Sequence, residues 1–326
     1  MSHYLVTGAA GFIGARTSTM LIEQGHTVVG VDNMNDAYDP RVKEYRLKEL
    51  QALNGFEFVR DDISDKGILH RPSAIVHHPF DGVINLAARA GVRFSVENPW
   101  AFLESNIMGT LNMLELCRQS GCKKFILAST SSIYGGNPEY PTPETASSSE
   151  PLQPYAASKK GAEALAHSYH HLFDIDVTVV RYFTVYGPAG RPDLAIFRFV
   201  KWIMEGEPVR INGDGTQSRG FTYVDDIARG TIAALRQLGY EIINLGGHEV
   251  ISINGLVDLI EDLTGKKANV QYGPPNLADM FMNQANVTKA RELLGWNPQV
   301  NLREGIENLI KWYIKEREWA KDILTP

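Results

Sequence analysis

The chain is expected to fold as an α/β protein: a doubly wound parallel sheet with a smaller mixed α/β cap toward the C-terminal side. Three observations carry this expectation. Short apolar runs alternate with helical patterns as far as residue 182. The runs are apolar throughout rather than at every second residue, as strands are when helices cover both faces of a parallel sheet. Three glycines, Gly8, Gly11 and Gly14, then separate the first strand from the first helix in "YLVTGAAGFIGARTSTMLIEQGHTVVGVDN".

Strands are expected at residues 3–7, 27–31, 56–59, 82–86, 124–129 and 176–182, with helices near 12–24, 41–52, 98–119 and 154–172. A strand turned sharply into a helix aims backbone N–H groups at whatever lies over the turn, which suits a phosphate. In such a turn Gly8 makes the bend, Gly11 lets a pyrophosphate approach, and Gly14 lets helix and sheet pack closely. An ordinary glycine-rich connection has the same composition. What distinguishes them is Asp32, ending the next strand "HTVVGVD" 18 residues after Gly14. A carboxylate there accepts from an adenosine ribose and repels a 2′-phosphate, so NAD is favoured over NADP and the sheet is of the Rossmann type. "INLAA" and "FILAST" are the central strands, and their carboxyl ends should open into the same crevice.

The rhythm fails after Gly187. "GPAGRPDLAIFRFVKWIMEG" reads as loop and helix, "EPVRINGDG" as strand and turn, "YVDDIARGTIAAL" as helix and "EIINLGG" as strand. "SINGLVDLIEDLTG" is a helix bounded by glycines, and two helical segments flank a Gly-Trp-Asn-Pro turn near the end. Residues 1–187 are therefore expected to bind the dinucleotide, with segments near 221–250 returning to that unit. Residues 188–326 mainly form the substrate cap.

With 44% hydrophobic and 21% charged residues the composition is that of a soluble globular protein. A net charge of −6 without a basic tail or stripe argues against nucleic acid as a partner. No run approaches the roughly 18 apolar residues of a membrane span, and no leader pattern is visible, so a cytoplasmic protein is expected. Cys117 and Cys122, the only cysteines, read as small semi-buried thiols rather than a disulfide or a metal pair, and no metal is expected.

The reacting group lies in "YAASKK". Tyr155 and Lys159 are four apart and share one helical face. A nearby ammonium favours phenolate over phenol, bringing a tyrosine toward the range where it acts as a base. Thr130, closing "FILAST" at the rim of the crevice, is placed to share a hydrogen bond with the substrate hydroxyl that Tyr155 deprotonates.

In these residues the chain resembles the extended short-chain dehydrogenase/reductase family. The match covers the glycine turn, Asp32, "DDI" at 61–63, "NLAA" at 85–88, Asn106, Thr130 and the Tyr155/Lys159 pair. "RYFTVYGP" at 181–188 and "RGFTYVDDIARG" at 219–230 extend it into the cap. The resemblance implies a nucleotide-sugar enzyme with firmly held NAD, usually a homodimer, the helices at 98–119 and 154–172 being candidates for its interface. "DNMNDAYDPRVKEYRLKEL", "NLAARAGVRFSVENP" and "YFTVYGPAGRPDLAIFRF" are most similar to the UDP-glucuronate 4-epimerase subfamily, which interconverts UDP-glucuronate and UDP-galacturonate through a 4-keto sugar.

On that resemblance Gly8, Gly11, Phe12, Ile13 and Gly14 hold the pyrophosphate, and Asp32 and Asn33 the adenosine ribose. Asp62 and Ile63 flank the adenine. Leu86, Ala87, Ala88, Asn106, Ser129 and Tyr182 line the rest of the NAD channel, beside Tyr155 and Lys159. Arg89, Thr130, Ser131, Ser132, Thr184 and Arg191 bind the substrate, with Arg219 meeting the UDP diphosphate and Asp279 the uridine ribose. Arg191, with the Thr184 hydroxyl, supplies paired donors to a sugar carboxylate. Gly220 departs from the subfamily, where Asp is frequent. A 4,6-dehydratase of the same family carries Asp-Glu where this chain has Ser131 and Ser132, and a UDP-glucuronate decarboxylase typically has Glu at Ser132. A UDP-galactose 4-epimerase usually has Asn at Thr184 and stays open as the alternative. A catalytically dead NAD-binding scaffold would most simply lack Tyr155 or Lys159, and both are present.

Overall fold

A computed structural model describes all residues except 72–74, 76–78, 137, 276–281 and 326. The glycine turn joins strand β1 (His3–Thr7) to helix α1 (Phe12–Glu23). β2 (Thr27–Val31), α2 (Pro40–Gln51), β3 (Phe56–Val59) and β4 (Gly82–Asn85) follow. β5 (Lys124–Thr130) and β6 (Asp176–Tyr182) lie beyond, and are buried almost end to end, as their unbroken apolar runs require. With β10 (Tyr240–Leu245) they form a seven-stranded sheet in the order β10-β6-β5-β4-β1-β2-β3, all pairs parallel. The chain reverses direction across the sheet between β1 and β4, where the crevice of a doubly wound sheet opens.

The stretch expected as one helix over 98–119 is broken. Helices α3 (Val92–Glu97) and α4 (Pro99–Leu103) meet at Asn98, whose side chain caps the second, with Pro99 at its first position. A π turn (Glu104–Met108) then leads into α5 (Gly109–Ser120). The extra residue in the π turn rotates Asn106 inward, where it is buried. Its amide donates to the Arg89 carbonyl (3.0 Å) and the Ser158 hydroxyl (2.8 Å), and its carbonyl accepts from the Arg89 N–H (2.9 Å). The long helix α6 (Pro154–Phe173) packs beside this segment.

β7 (Thr184–Tyr186), β9 (Ser218–Tyr223) and β11 (Glu249–Ser252) form a second sheet, and β8 (Pro208–Asn212) pairs with β12 (Asn269–Gly273). Helices α7 (Ala195–Glu205), α9 (Ile253–Thr264) and α11 (Leu302–Lys315) enclose a core that includes Val200, Ile203, Ile260, Ile306 and Tyr313. Ile196, Val200 and Ile203 recur at helical spacing, so one face of α7 is buried. Between these pieces α8 (Val224–Ala233) returns to pack on α1, where Arg16 makes a two-pronged bond to Asp225 (2.8 and 3.0 Å). α10 (Thr288–Leu294) contributes Ala290 and Leu294 to the large-sheet core. Among the described residues no helix is long and apolar enough to cross a membrane.

Candidate active site

The glycine turn is built for close approach. Gly8 has φ +68°, and a Cβ there would stand 2.7 Å from the Ala87 nitrogen. A Cβ on Gly14 would run into the Gly8 carbonyl oxygen. Thr7 Oγ1 receives the Ala87 N–H (3.1 Å) and donates to Asn85 (2.6 Å), locking "NLAA" against the turn. Helix α1 starts at Gly11 with no side chain capping its first N–H groups. Unspent N–H groups at a bare helix N-terminus fit a pyrophosphate.

Asp32, buried at the tip of β2, accepts from the Met34 N–H (2.8 Å) and from Lys43 Nζ (3.4 Å). In the sequence nothing beside Asp32 marks a counter-charge. Lys43, reached one helical turn into α2, offsets part of its repulsion toward a 2′-phosphate. Burial works against the Asp62 charge, but hydrogen bonds from Ser64 (2.6 and 2.8 Å) and Asn33 (2.8 Å) outweigh it and hold the carboxyl below its ordinary value. Asn33, Asp62 and the buried Ile63 thus stand together beyond β2 and β3.

Tyr155 and Lys159 share a face of α6, with no hydrogen bond between them among the described residues. Lys159 Nζ donates to the Ala128 carbonyl (2.8 Å) on β5. Burial pushes its pKa down to about 8, with Glu163 one turn later pulling the other way. Burial likewise pushes the Tyr155 phenol up. Only the Thr130 hydroxyl and the Arg191 guanidinium lower it. The Lys159 ammonium, turned to a backbone carbonyl, is not among the groups that lower it here. Thr130 Oγ1 also donates to Ser132 Oγ (3.3 Å) and receives the Ser132 N–H (3.2 Å), while Ser131 Oγ receives Asn283 Nδ2 (3.2 Å).

Arg191 is not a solvated loop cation. It lines a small cleft with Thr184, Phe197 and Phe221. Its Nε and Nη2 grip Asp193 (3.0 and 2.5 Å), and Nη2 also points to the Ala90 carbonyl (3.4 Å). Burial works against its charge, but Asp193 keeps it firmly protonated, with Tyr38 and Tyr155 adding to the effect. Arg89 sets its guanidinium 5.7 Å from the Phe94 ring, and its Nη1 is buried with no partner among the described residues. Arg219, on β9, donates to the Ser218 carbonyl (2.8 Å) and stands beside Tyr140, whose hydroxyl donates to the Met282 carbonyl (2.8 Å). Asp279 lies outside the described residues.

Two expected cofactor residues have spent their hydroxyl hydrogens. Ser129 Oγ donates to Glu163 (2.6 Å), and the Tyr182 hydroxyl is bonded to Thr231 (2.8 Å). Glu163 also takes both prongs of Arg181 (2.9 and 2.8 Å), each side chain 2% exposed. Arg181 reaches Tyr134 (3.0 Å), which donates to Asn244 (2.6 Å). Glu163, Arg181, Lys43 and Asp193 were all missed in the sequence. Only Asp193, two residues beyond Arg191, left a local signal.

A bare glycine turn at the switch of a parallel sheet, with a Tyr–Lys helix and a threonine facing it, is the architecture of a dinucleotide-dependent enzyme. Comparison narrows the class. The model of the NAD dependent epimerase/dehydratase family matches residues 4–246. The UDP-glucuronate 4-epimerase of Thermodesulfobacterium geofontis is 52% identical over 324 residues, 99% of each chain. Among solved structures, the UDP-glucuronic acid 4-epimerase of Bacillus cereus, in complex with UDP-glucuronic acid and NAD, superposes with a TM-score of 0.89. It is 36% identical over 96% of this chain and 99% of that one. A UDP-glucose 4-epimerase of Thermotoga maritima with UDP-glucose matches at TM-score 0.88 and 34% identity, over 97% and 99% of the two chains. The chain belongs to the NAD dependent epimerase/dehydratase family.

Proposed function

We propose that this chain is an NAD-dependent nucleotide-sugar 4-epimerase interconverting UDP-glucuronate and UDP-galacturonate. One observation carries the choice of sugar: Arg191 shares a cleft with Thr184 while its charge acts on the Tyr155 phenol. A carboxylate-binding group thus lies within reach of the proton acceptor. Similarity to relatives named as UDP-glucuronate 4-epimerases supports the same choice.

Gly8, Gly11, Phe12, Ile13 and Gly14 would hold the NAD pyrophosphate, Asp32 and Asn33 a ribose, and Asp62 and Ile63 the adenine. Leu86, Ala87, Ala88 and Asn106 would follow toward the nicotinamide. Ser129 and Tyr182, whose hydroxyl hydrogens go to Glu163 and Thr231, would offer surface and lone pairs that can still accept. When bound, NAD supplies the acceptor for the C4 hydride and returns it. Tyr155 takes the proton of the sugar 4-hydroxyl, leaving a 4-keto sugar, and returns it to the oxygen after the ring has turned over. Thr130 orients that oxygen. Lys159, close to half-titrated near pH 8, supplies the charge that makes the phenol a better acid once a ligand draws it from Ala128.

A 4-keto uronate is a β-keto acid and loses CO₂ when its carboxylate bond aligns with the carbonyl π system. Arg191, its plane fixed by Asp193, is proposed to hold the carboxylate out of that alignment with its Nη1 donors and with Thr184. Arg219 is proposed for the diphosphate, Arg89, Ser131 and Ser132 for the rest of the substrate, and Asp279 for the uridine ribose.

Residues 1–187, with α8 and β10, are proposed as the dinucleotide unit and most of 188–326 as the cap. A homodimer is proposed through α3, α4 and α6, where Val96, Trp100 and Leu172 leave apolar area exposed. A cytoplasmic location is proposed as part of the same reading. The function is tested by initial rates with UDP-glucuronate, UDP-galacturonate, UDP-glucose and UDP-galactose. Faster turnover of the neutral pair would replace the uronate assignment by a UDP-galactose 4-epimerase.

A further inference from the structure

Arg46 lies on α2, in a stretch that the sequence marked only as helix. Its residue is 4% exposed, yet among the described residues none of its hydrogen-bond partners is a carboxylate. Nε and Nη2 both donate to the Ala189 carbonyl (2.9 and 2.7 Å), and Nη2 also donates to the Gly190 carbonyl (3.2 Å). Nη1 donates to the Ala10 carbonyl (3.1 Å) and the Tyr38 hydroxyl (2.7 Å). The guanidinium stands over the rings of Phe12 and Tyr38, 5.6 and 5.5 Å from their centroids.

Burying a guanidinium without a counter-charge is expensive, and three carbonyls are what it receives in return. One of them belongs to a strained residue. Ala189 has φ +49°, in the left-handed region that a residue with a Cβ rarely enters and keeps only when its surroundings hold it there. The planar fork of Arg46 closes on the carbonyl of that residue, two positions before Arg191. Its other arm is fixed to the glycine turn at Ala10. Lysine would bring one nitrogen where arginine brings a fork, so charge alone would not reproduce the clamp.

We propose that Arg46 is a positioning residue for uronate recognition: by clamping Ala189 and Gly190 to the glycine turn, it holds Arg191 where the sugar carboxylate is met. The inference rests on the role proposed above for Arg191. It also ties the sugar end of the site to the dinucleotide end through a single side chain, so loop position and cofactor turn are not independent.

Binding of UDP-glucuronate and UDP-glucose is measured by calorimetry on NAD-loaded protein carrying Tyr155→Phe, which prevents turnover during the titration. Arg46→Lys in that background is expected to weaken UDP-glucuronate at least tenfold while UDP-glucose changes less than threefold. A loss shared equally by the two ligands would reduce Arg46 to general support of the fold and overturn the proposal. If Arg46→Lys does not fold, Arg46→Met removes the fork without leaving a buried charge in need of partners. Its expected result is a selective loss for UDP-glucuronate of about threefold or more, and an unchanged ratio of affinities overturns the proposal. Should the parent protein bind the two ligands alike, it is the assignment of Arg191 to the carboxylate that fails, a result distinct from either variant's.

Discussion

Lys159→Met should make the dinucleotide-free protein more stable at neutral pH. Lys159 is 3% exposed, and burial brings its pKa down from 10.5 to about 8. Its charged form is therefore penalised in the folded state. The penalty is present in full below about pH 8 and fades as pH rises toward 10.5, where the unfolded chain also loses the proton. At about 1.4 kcal/mol for each tenfold, the penalty near pH 7 is about 3 kcal/mol. Methionine keeps the stem but leaves the Ala128 carbonyl without its 2.8 Å donor, which returns about 1 kcal/mol. A net gain of about 2 kcal/mol remains, or a melting midpoint higher by a few degrees. Thermal unfolding of both proteins, stripped of dinucleotide, at pH 7 and pH 10 checks it. The gain should shrink toward zero or reverse at the higher pH. A variant less stable at pH 7, or one whose gain is the same at both, would refute the idea that burial of this charge is stored strain. Activity should be lost in the same variant, as expected where function is maintained against stability.

Three further outcomes are expected. Tyr155→Phe should keep its fold and its NAD while turnover falls at least about 100-fold, since only the proton acceptor is removed; a variant above half of parental turnover would take Tyr155 out of the mechanism. Asp32→Ala should lose NAD affinity more than NADP affinity, because it removes an acceptor from the 2′-hydroxyl and frees Lys43, now paired with it at 3.4 Å, to face a 2′-phosphate. Equal losses in a binding titration would make Asp32 purely structural. Arg191→Ala should lose most uronate turnover and release a larger share of product as the 4-keto pentose; anion exchange and NMR of the products decide it.

Much of this site was written locally. The glycine turn is a local motif, because a bend and a close approach are requirements on single positions, and the structure places Gly8 against Ala87 as those requirements imply. Tyr155 and Lys159 were legible as a helical pair, yet their spacing could not say that Lys159 would bond to Ala128, 31 positions away. Glu163 and Arg181 were invisible for the same reason: each is ordinary in its own segment, and their pairing exists only once α6 lies on β6. Arg46 looks like any charge on a polar helix until Ala189, 143 positions on, supplies the carbonyl. The π turn left a cue in Asn98-Pro99, but apolar periodicity across 98–119 masked it. Uniformly apolar strands, by contrast, constrain the parallel sheet strongly, and its six forward strands came out within two residues of expectation.

The most direct measurement follows the label in UDP-[4-²H]glucuronate by NMR as the purified protein acts on it. Removal and return of the same hydrogen at C4 predicts UDP-galacturonate forming with its deuterium retained at C4 and with little UDP-pentose. Washing of the deuterium into solvent, or the absence of UDP-galacturonate, would contradict epimerisation through a transient C4 ketone in this site.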